Sequence, residues 1–492
     1  MQGKKIQQEC LFINFQLSDY VPADNFYRQL NQILDLRFLY QSTAGYYGSE
    51  GQKSIDPVVF MKLMLVGYLE NLNSDRRIIS ISRMRMDILF FLGYNLDEEL
   101  PWHSTLSRTR KLYGEAQFVA LFKQVLKLCV DQGLISGKRQ AVDSALIRAN
   151  AAMDSMVEKQ VMDDVAIYSQ ELNDNSDDIK TPGPKDNSTH KIVSVKKSGP
   201  RNQTHYSPAD PDSRLTKKPG KPMNLYYRSQ MSVDTASHFI TYIQAFPGNA
   251  ADNISLPEML GHITGNMKEN NLQVKEVLAD TGYSSGEAIR ALINQNIEGY
   301  IPNPGNYKQP QQDQDFAYDI ENDRYVCPQG MYLTFRGIDQ RDKKANIQRR
   351  LYQTSVKDCK NCPLKNSCIN YKGVRRIKHS VDRPLYDQMH QRMQSEKAKK
   401  LKKLRSSTVE PVFGSLINYT GMKRIATKGL QQANKCMIMA AAAYNLKKLL
   451  KHGTFRTAQS NAKQLESRLI KAFKAFMSGF SWYYLRNFSF QF

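Results

Sequence analysis

Long apolar runs are missing from this sequence of 492 residues. The longest near the C-terminus, Cys436 to Tyr444, falls well short of the ~20 residues that a bilayer-spanning helix needs, which argues against a membrane protein. The opening residues, MQGKKIQQECLF, lack the basic start, apolar stretch and small-residue cleavage site of a secretory leader. Cysteine is scarce, with seven in the whole chain, so no disulfide framework is expected. There is no Walker-type phosphate loop, and none of the eight histidines falls in a metal-ligand spacing. Negative charge is also in deficit. Against 69 Lys and Arg stand 47 Asp and Glu, leaving a formal net charge of +22. Such an excess makes a polyanion the leading partner, because each neutralised phosphate releases condensed counterions. What is present is ordinary for a globular protein: 41% hydrophobic and 24% charged residues. The length suits two or three domains of ~150 residues each. These features point to a cytoplasmic protein that handles nucleic acid.

Residues 1–135 read as an all-helical N-terminal domain. Asp56-Pro57 is a good helix start, since aspartate caps and proline is tolerated in the first turn. Val58 to Leu69 is nearly all apolar, so that helix is expected to be buried on most sides. Ser104 or Thr105 is a candidate cap for a further helix that exposes Arg108, Arg110 and Lys111. Short helices with clustered arginines suit a helix-turn-helix reader of DNA; a solvated basic face is the alternative. From 169 to 223 the composition turns polar and Pro/Gly-rich, which predicts a mobile loop. Beyond it, LYYRSQMSVD and HFITYIQAF read as a β-hairpin, Asn253 to Met267 as a helix, VKEVLAD as a strand, GEAIRALINQN as a helix and EGYIPN as another strand. Residues 136–302 therefore read as one α/β domain. A polar cysteine-bearing insertion over 303–380 follows, then a helical part over 381–452 and a basic aromatic tail over 453–492.

Two acids are predicted at strand ends, Asp143 in AVDSALIRANA and Asp280 in VLADTGYSS. A third, Glu410 in RSSTVEPVFGSL, lies in very basic surroundings. Side chains at the carboxyl ends of strands share a crevice in α/β sheets. Three carboxylates there suit Mg²⁺ or Mn²⁺, two ions ~3.5–4 Å apart, in phosphoryl transfer. Strand-end aspartates that merely cap turns are the alternative. Asp252, in FPGNAADN, reads as a helix N-cap with a possible supporting role.

In order along the chain, SIDPVVFMKLMLVGYLENLNSDR, PWHSTLSRTRK, VDSALIRANA, DPDSRLTKKPGKPMNLYYRSQMSVD, LADTGYSS and VEPVFGSLINYTGMKRIATKGL resemble the segments of a bacterial insertion-sequence transposase of the DDE (Asp-Asp-Glu) type. More narrowly, they resemble the insertion-sequence group numbered eleven-eighty-two. The resemblance implies an RNase H-like mixed sheet flanked by helices, with Asp143, Asp280 and Glu410 as catalytic ligands of two Mg²⁺ or Mn²⁺ ions. Water would cut a phosphodiester at the element's terminal inverted repeats, and the freed 3′-hydroxyl would join target DNA. It also implies DNA contacts from Arg405, from Lys423 or Arg424, and from Tyr283 by stacking, with a packed aromatic as the alternative for Tyr283. A homodimer in the active complex and a bacterial, nucleoid-associated setting follow from the same resemblance. Two departures stand out. Ile417 occupies a position seven after Glu410 where many relatives carry lysine, and Pro411 disfavours helical geometry at Glu410, so that a helix is expected to start there, capped by Ser407 or Thr408.

Cys327, Cys359, Cys362 and Cys368 fall within the insertion, the last three as Cys-x-x-Cys-x-x-x-x-x-Cys. Four thiolates suit structural zinc, and a polar lobe with little core gains most from such a staple; reduced packed thiols are the alternative. The same pattern resembles the cysteine-bearing segment of that transposase group. Two other functions remain open at this point: a metal-dependent endonuclease without strand transfer, and an inactive DNA-binding relative.

Overall fold

The computed structural model describes residues 15–48, 50, 54–159, 202–218, 220–304, 316–339 and 348–452. The tail over 453–492 and the polar stretch over 169–201 lie outside the described residues. The chain forms two compact units: one takes in residues 1–134, 147–227 and 414–492, the other 135–146 and 228–413.

The first unit is mostly helical. Asp56 caps the helix Pro57–Leu69, accepting from the Val58 and Val59 N–H groups at 2.7 and 3.1 Å. Phe60, Leu63, Leu65 and Val66 of that helix are fully buried, as its apolar run predicts. Helices Asp75–Met84 and Met86–Leu92 are separated by an extended Arg85, and the second ends at Gly93, whose left-handed φ of 83° glycine adopts without steric cost. The next helix begins at His103, two or three residues earlier than a cap at Ser104 or Thr105 implies, and has no side-chain cap. A helix over 430–452 buries Met437 to Ala443. Its first turn is held by acids from the polar stretch. Asp210 accepts from the Gly429 N–H at 2.9 Å and from the Tyr227 hydroxyl, while Asp212 accepts from the Leu430 N–H at 2.8 Å. Anionic oxygens on orphan N–H groups stabilise a helix start by about 1 kcal/mol. The later part of the polar stretch is therefore structured, contrary to the loop expectation, because its acids have a helix to cap.

The strands, in chain order, are β1 (Arg139–Arg148), β2 (Val157–Glu158), β3 (His205–Tyr206), β4 (Arg214–Lys218), β5 (Lys221–Asp234), β6 (Ile240–Pro247), β7 (Glu276–Leu278), β8 (Glu298–Tyr300), β9 (Ala317–Asp319), β10 (Arg324–Val326), β11 (Tyr332–Asp339), β12 (Arg349–Gln353) and β13 (Arg376–Ser380). The larger sheet runs β4-β5-β1-β7-β8 with β6 on β5; β2 and β3 pair separately. β1, β7 and β8 are parallel, and the helix Gly286–Asn294 connects β7 to β8. The hairpin, the helices and the strands expected over 225–302 are all present, giving a mixed α/β protein.

The second unit also carries the antiparallel sheet β13-β12-β11-β10-β9. Its small core is Phe316, Tyr325, Leu333, Tyr352 and Ile377, with Tyr318, Cys327 and Cys368 packed against it. His379 is buried among these rings, 2.8 Å from the Tyr325 hydroxyl. Burial, then the Arg383 and Arg350 charges, push its pKa down to about 4. An unfolded histidine protonates near ~6.5. Between that pH and the folded value, only the unfolded chain holds the proton, so stability is lost as pH falls. The slope is at most ~1.4 kcal/mol per unit, and the total about 2 kcal/mol after allowing for partial solvent screening. Urea midpoints at pH 7 and pH 5 are expected to differ in the wild type and to converge in His379→Gln. Equal pH dependence in both proteins would refute this assignment.

Candidate active site

Strand register brings the first two acids together. In the parallel pair of β1 and β7, Ala141 lies opposite Leu278, so Asp143 and Asp280 each stand two residues beyond that pair. Asp143 is thus inside β1 rather than at its end, and it is β7 that stops. The Asp143 carboxylate accepts from the Ser144 N–H at 2.8 Å and lies 2.9 Å from Arg405 Nη1, with only 18% and 15% of the two side chains exposed. Burial raises the Asp143 pKa; Arg405 and the Ser144 N–H pull it back, and the Asp280 charge raises it further.

Asp280 folds back on its own turn, accepting from the Gly282 N–H at 2.9 Å. A Cβ on Gly282 would come within 3.0 Å of Asp280 Oδ1 and 3.3 Å of Asp252 Oδ2, so a glycine is needed where two carboxylates converge. Asp252 is not the N-cap expected for it. It sits in the first turn of the helix Asp252–Glu269, and both carboxylate oxygens accept from Arg228 Nη1, at 2.9 and 2.8 Å. Gln230 adds a 3.3 Å bond, and Arg228 Nη1 also reaches Ser144 Oγ at 3.2 Å. Tyr283 is fully buried, so it has no face on which a base can stack. Burial and then the Asp252, Asp143 and Asp280 charges hold its phenol protonated far above the ordinary range. The alternative reading of a packed aromatic is the one observed.

Glu410 stands apart from this group. It is exposed, and accepts from Ser406 Oγ one turn earlier on its helix. That helix, Glu396–Tyr419, runs straight through Pro411 instead of beginning near it. Proline costs a donor to the Ser407 carbonyl, but Ser407 and Pro411 are both exposed, where that carbonyl stays open to water. Arg405 and Val409 lie on the inward side, so Glu410, one residue on, turns outward. Among the described residues no three His, Cys, Asp or Glu side chains are spaced to hold a metal ion. The chemistry of the donors around Asp143 nonetheless fits a hard divalent cation: ionisable carboxylates that feel each other's charge, one of them neutralised by a guanidinium.

The remaining expected residues separate by helical phase. Arg108 and Lys111 are exposed on the helix His103–Leu112. Arg110 is not, contrary to expectation. It shares a face with Leu106 and Tyr113, is 8% exposed, and pairs with Asp75 at 2.5 Å. Lys423 and Arg424 are exposed, and Arg424 donates to Asn150 at 3.0 Å. Beside the antiparallel sheet, at the end of the helix Lys365–Cys368, the Cys368 thiol is pushed up by burial, lowered by Arg375 and raised again by Cys359, Cys362 and Cys327, so each of the other three cysteines lies close enough to be felt. Arg228 and Ser144 were not singled out by sequence reasoning. The available signal was their place, one residue after Asp143 and inside a predicted strand beside it.

The described residues thus define a mixed α/β protein with a half-buried acidic group, met by two arginines, beside its larger sheet. Family comparison goes further. Residues 15–112 match the family described as a transposase domain (DUF772), and residues 326–450 match a transposase DDE domain. These matches support a DDE transposase. Glu410 lies within the second match, whereas Asp143 and Asp280 lie in the stretch that neither covers. Among solved structures, the chain is similar to a Mos1 transposase paired-end complex with left transposon end at 9% identity, covering 56% of this chain and 70% of that one, with a TM-score of 0.15. It is also similar to a piggyBac transposase synaptic complex with hairpin DNA at 10% identity, covering 87% and 80%, with a TM-score of 0.23. Scores this low carry no argument about shared geometry. No curated protein matches the chain. Among the described residues, no helix is long and apolar enough to cross a membrane.

Proposed function

We propose that this protein is the transposase of an insertion sequence, related to the group numbered eleven-eighty-two, which cleaves DNA at the element's ends and joins those ends to target DNA. The observation that carries the reading is the register-matched pair Asp143 and Asp280, the first half-buried and ion-paired with Arg405, in a chain whose other parts match transposase families. The strand order β6-β5-β1-β7-β8, antiparallel at one side and parallel at the other, supports an RNase H-like core.

In this reading Asp143, Asp280 and Glu410 hold divalent cations, Mg²⁺ or Mn²⁺. Such ions supply a lowered pKa for the attacking water and charge stabilisation at the leaving oxygen. The chain's own residues do the positioning. Ser144 orients the Asp143 carboxylate through its N–H, and the Gly282 turn orients Asp280. Arg228 fixes Asp252 as a neutralised neighbour, so its charge does not compete for the cation. Arg108, Lys111, Lys423 and Arg424 supply exposed positive charge for phosphates of double-stranded DNA, with the N-terminal helices reading the ends in helix-turn-helix fashion and a homodimer pairing them. Four thiolates from Cys327, Cys359, Cys362 and Cys368 suit a structural Zn²⁺ in the small sheet. The domain limits that accompany this reading are 1–135, 136–302, 303–380, 381–452 and 453–492.

The test uses pre-cleaved DNA bearing the inverted repeats that bound the gene. Joining of those ends to a target plasmid in Mg²⁺ is expected. Cleavage without joining would instead mark an endonuclease. The exposed Glu410, apart from the aspartates, favours one further reading, a DNA-binding relative without chemistry, for which neither product would form.

A further inference from the structure

The ion pair of Arg405 with Asp143 has a consequence beyond DNA contact. Three observations define it. First, Arg405 Nη1 lies 2.9 Å from Asp143 Oδ2, and both side chains are largely shielded from water. Second, the closest contact is a single one, from Nη1 to Oδ2, without the two parallel bonds of the fork that locks arginine to a carboxylate. Third, Asp143 feels both a positive and a negative neighbour, Arg405 and Asp280. By contrast, Asp252 is locked by two good bonds from Arg228 and has no comparable freedom.

We infer that Arg405 is an exchangeable counter-ion: it occupies the cation position beside Asp143 in the metal-free protein, is displaced when a divalent cation binds there, and is then released to a DNA phosphate. This rests on the proposed reading of Asp143 as a metal ligand. The physical basis is charge accounting. A guanidinium and a divalent cation cannot share one carboxylate oxygen at contact distance without repulsion, and in a shielded site that repulsion is weakly screened. Metal affinity is therefore lowered by the pair, and DNA affinity by the same pair. Loading the metal removes both restraints, so metal and DNA bind with positive coupling, and by linkage each must strengthen the other.

The test measures Mn²⁺ binding to the full chain without DNA, by electron paramagnetic resonance of the free ion. Arg405→Gln is expected to bind Mn²⁺ about tenfold more tightly than wild type, ~1.4 kcal/mol. Asp143→Asn is expected to bind it more weakly, and the double variant to show no gain over Asp143→Asn alone. If Asp143→Asn weakens binding but Arg405→Gln does not tighten it, the exchange is overturned while the metal reading stands. If Asp143→Asn leaves Mn²⁺ affinity unchanged, the metal reading itself falls. A second measurement does not depend on Arg405→Gln folding. In metal-free buffer, Asp143→Asn frees Arg405 for a phosphate, and the slope of log affinity against log salt for a short duplex should steepen by about 0.9. Asp280→Asn, which removes the same charge but leaves the ion pair, should not change it. Equal slopes for the two variants would overturn the exchange.

Discussion

Asp143→Asn and Asp280→Asn are each expected to lower cleavage of element-end DNA by at least ~10³-fold, a loss of about 4 kcal/mol in transition-state stabilisation, while binding to the same DNA is retained. The two acids stand at matched positions, two residues beyond a pair on adjacent parallel strands, so removing either charge weakens the anionic field at the point where a cation would sit. Neither substitution changes side-chain volume, and the bonds from the Ser144 and Gly282 N–H groups can be kept by an amide oxygen. A folding defect is therefore not the expected cause of inactivity. Gel-shift titration of the intact ends beside a nicking assay separates the two. Retained cleavage in either variant would remove the site assignment.

If the four cysteines of the small lobe hold zinc, its removal is expected to produce the next largest effect. The sheet's core amounts to five buried side chains, with Cys327 and Cys368 packed on its edge, which is little apolar area to offset chain entropy. If the thiolates hold a metal, its binding free energy is folding free energy for this lobe, on the order of 10 kcal/mol in small zinc modules. Treatment with a strong chelator, or Cys362→Ser, should then make β9 to β13 sensitive to limited proteolysis. The Asp143 site should still bind Mn²⁺. Protein purified without chelator that contains no zinc would refute this. Unchanged proteolysis after verified zinc removal would do so equally.

The pattern of agreement with the sequence has a physical logic. The helix capped by Asp56 was legible because capping and apolar content are local properties, readable within one stretch of chain. The same holds for the hairpin of β5 and β6 and for the alternation of strands and helices up to Tyr300. Local signals misled wherever a distant partner decided the outcome. Arg110 belongs to an arginine-rich helix, yet its helical phase turns it inward, where Asp75 neutralises it. Asp252 has the look of an N-cap, yet Arg228 claims it first. Pro411 suggests a helix start, but both it and Ser407, whose carbonyl loses its donor, are exposed residues, so the break costs little. Asp210 and Asp212 sit in a stretch too polar to form a core, and they order by capping a helix that lies over two hundred residues away.

By itself, then, the sequence determined the excess of positive charge, the helix capped by Asp56, the hairpin, strands and helices over 225–302, and the chemical types available for a site, because each depends on neighbouring residues alone; the five strands β9 to β13 in the polar insertion were not legible in it. Only the tertiary structure decided which acids meet. The pairing of Ala141 with Leu278 sets Asp143 beside Asp280, the arginines on β5 and on the long helix select which carboxylates are neutralised, and the outward turn at Glu410 leaves it apart. Convergence of charges far apart in the chain is a property of register and helical phase, and no short window of residues contains it.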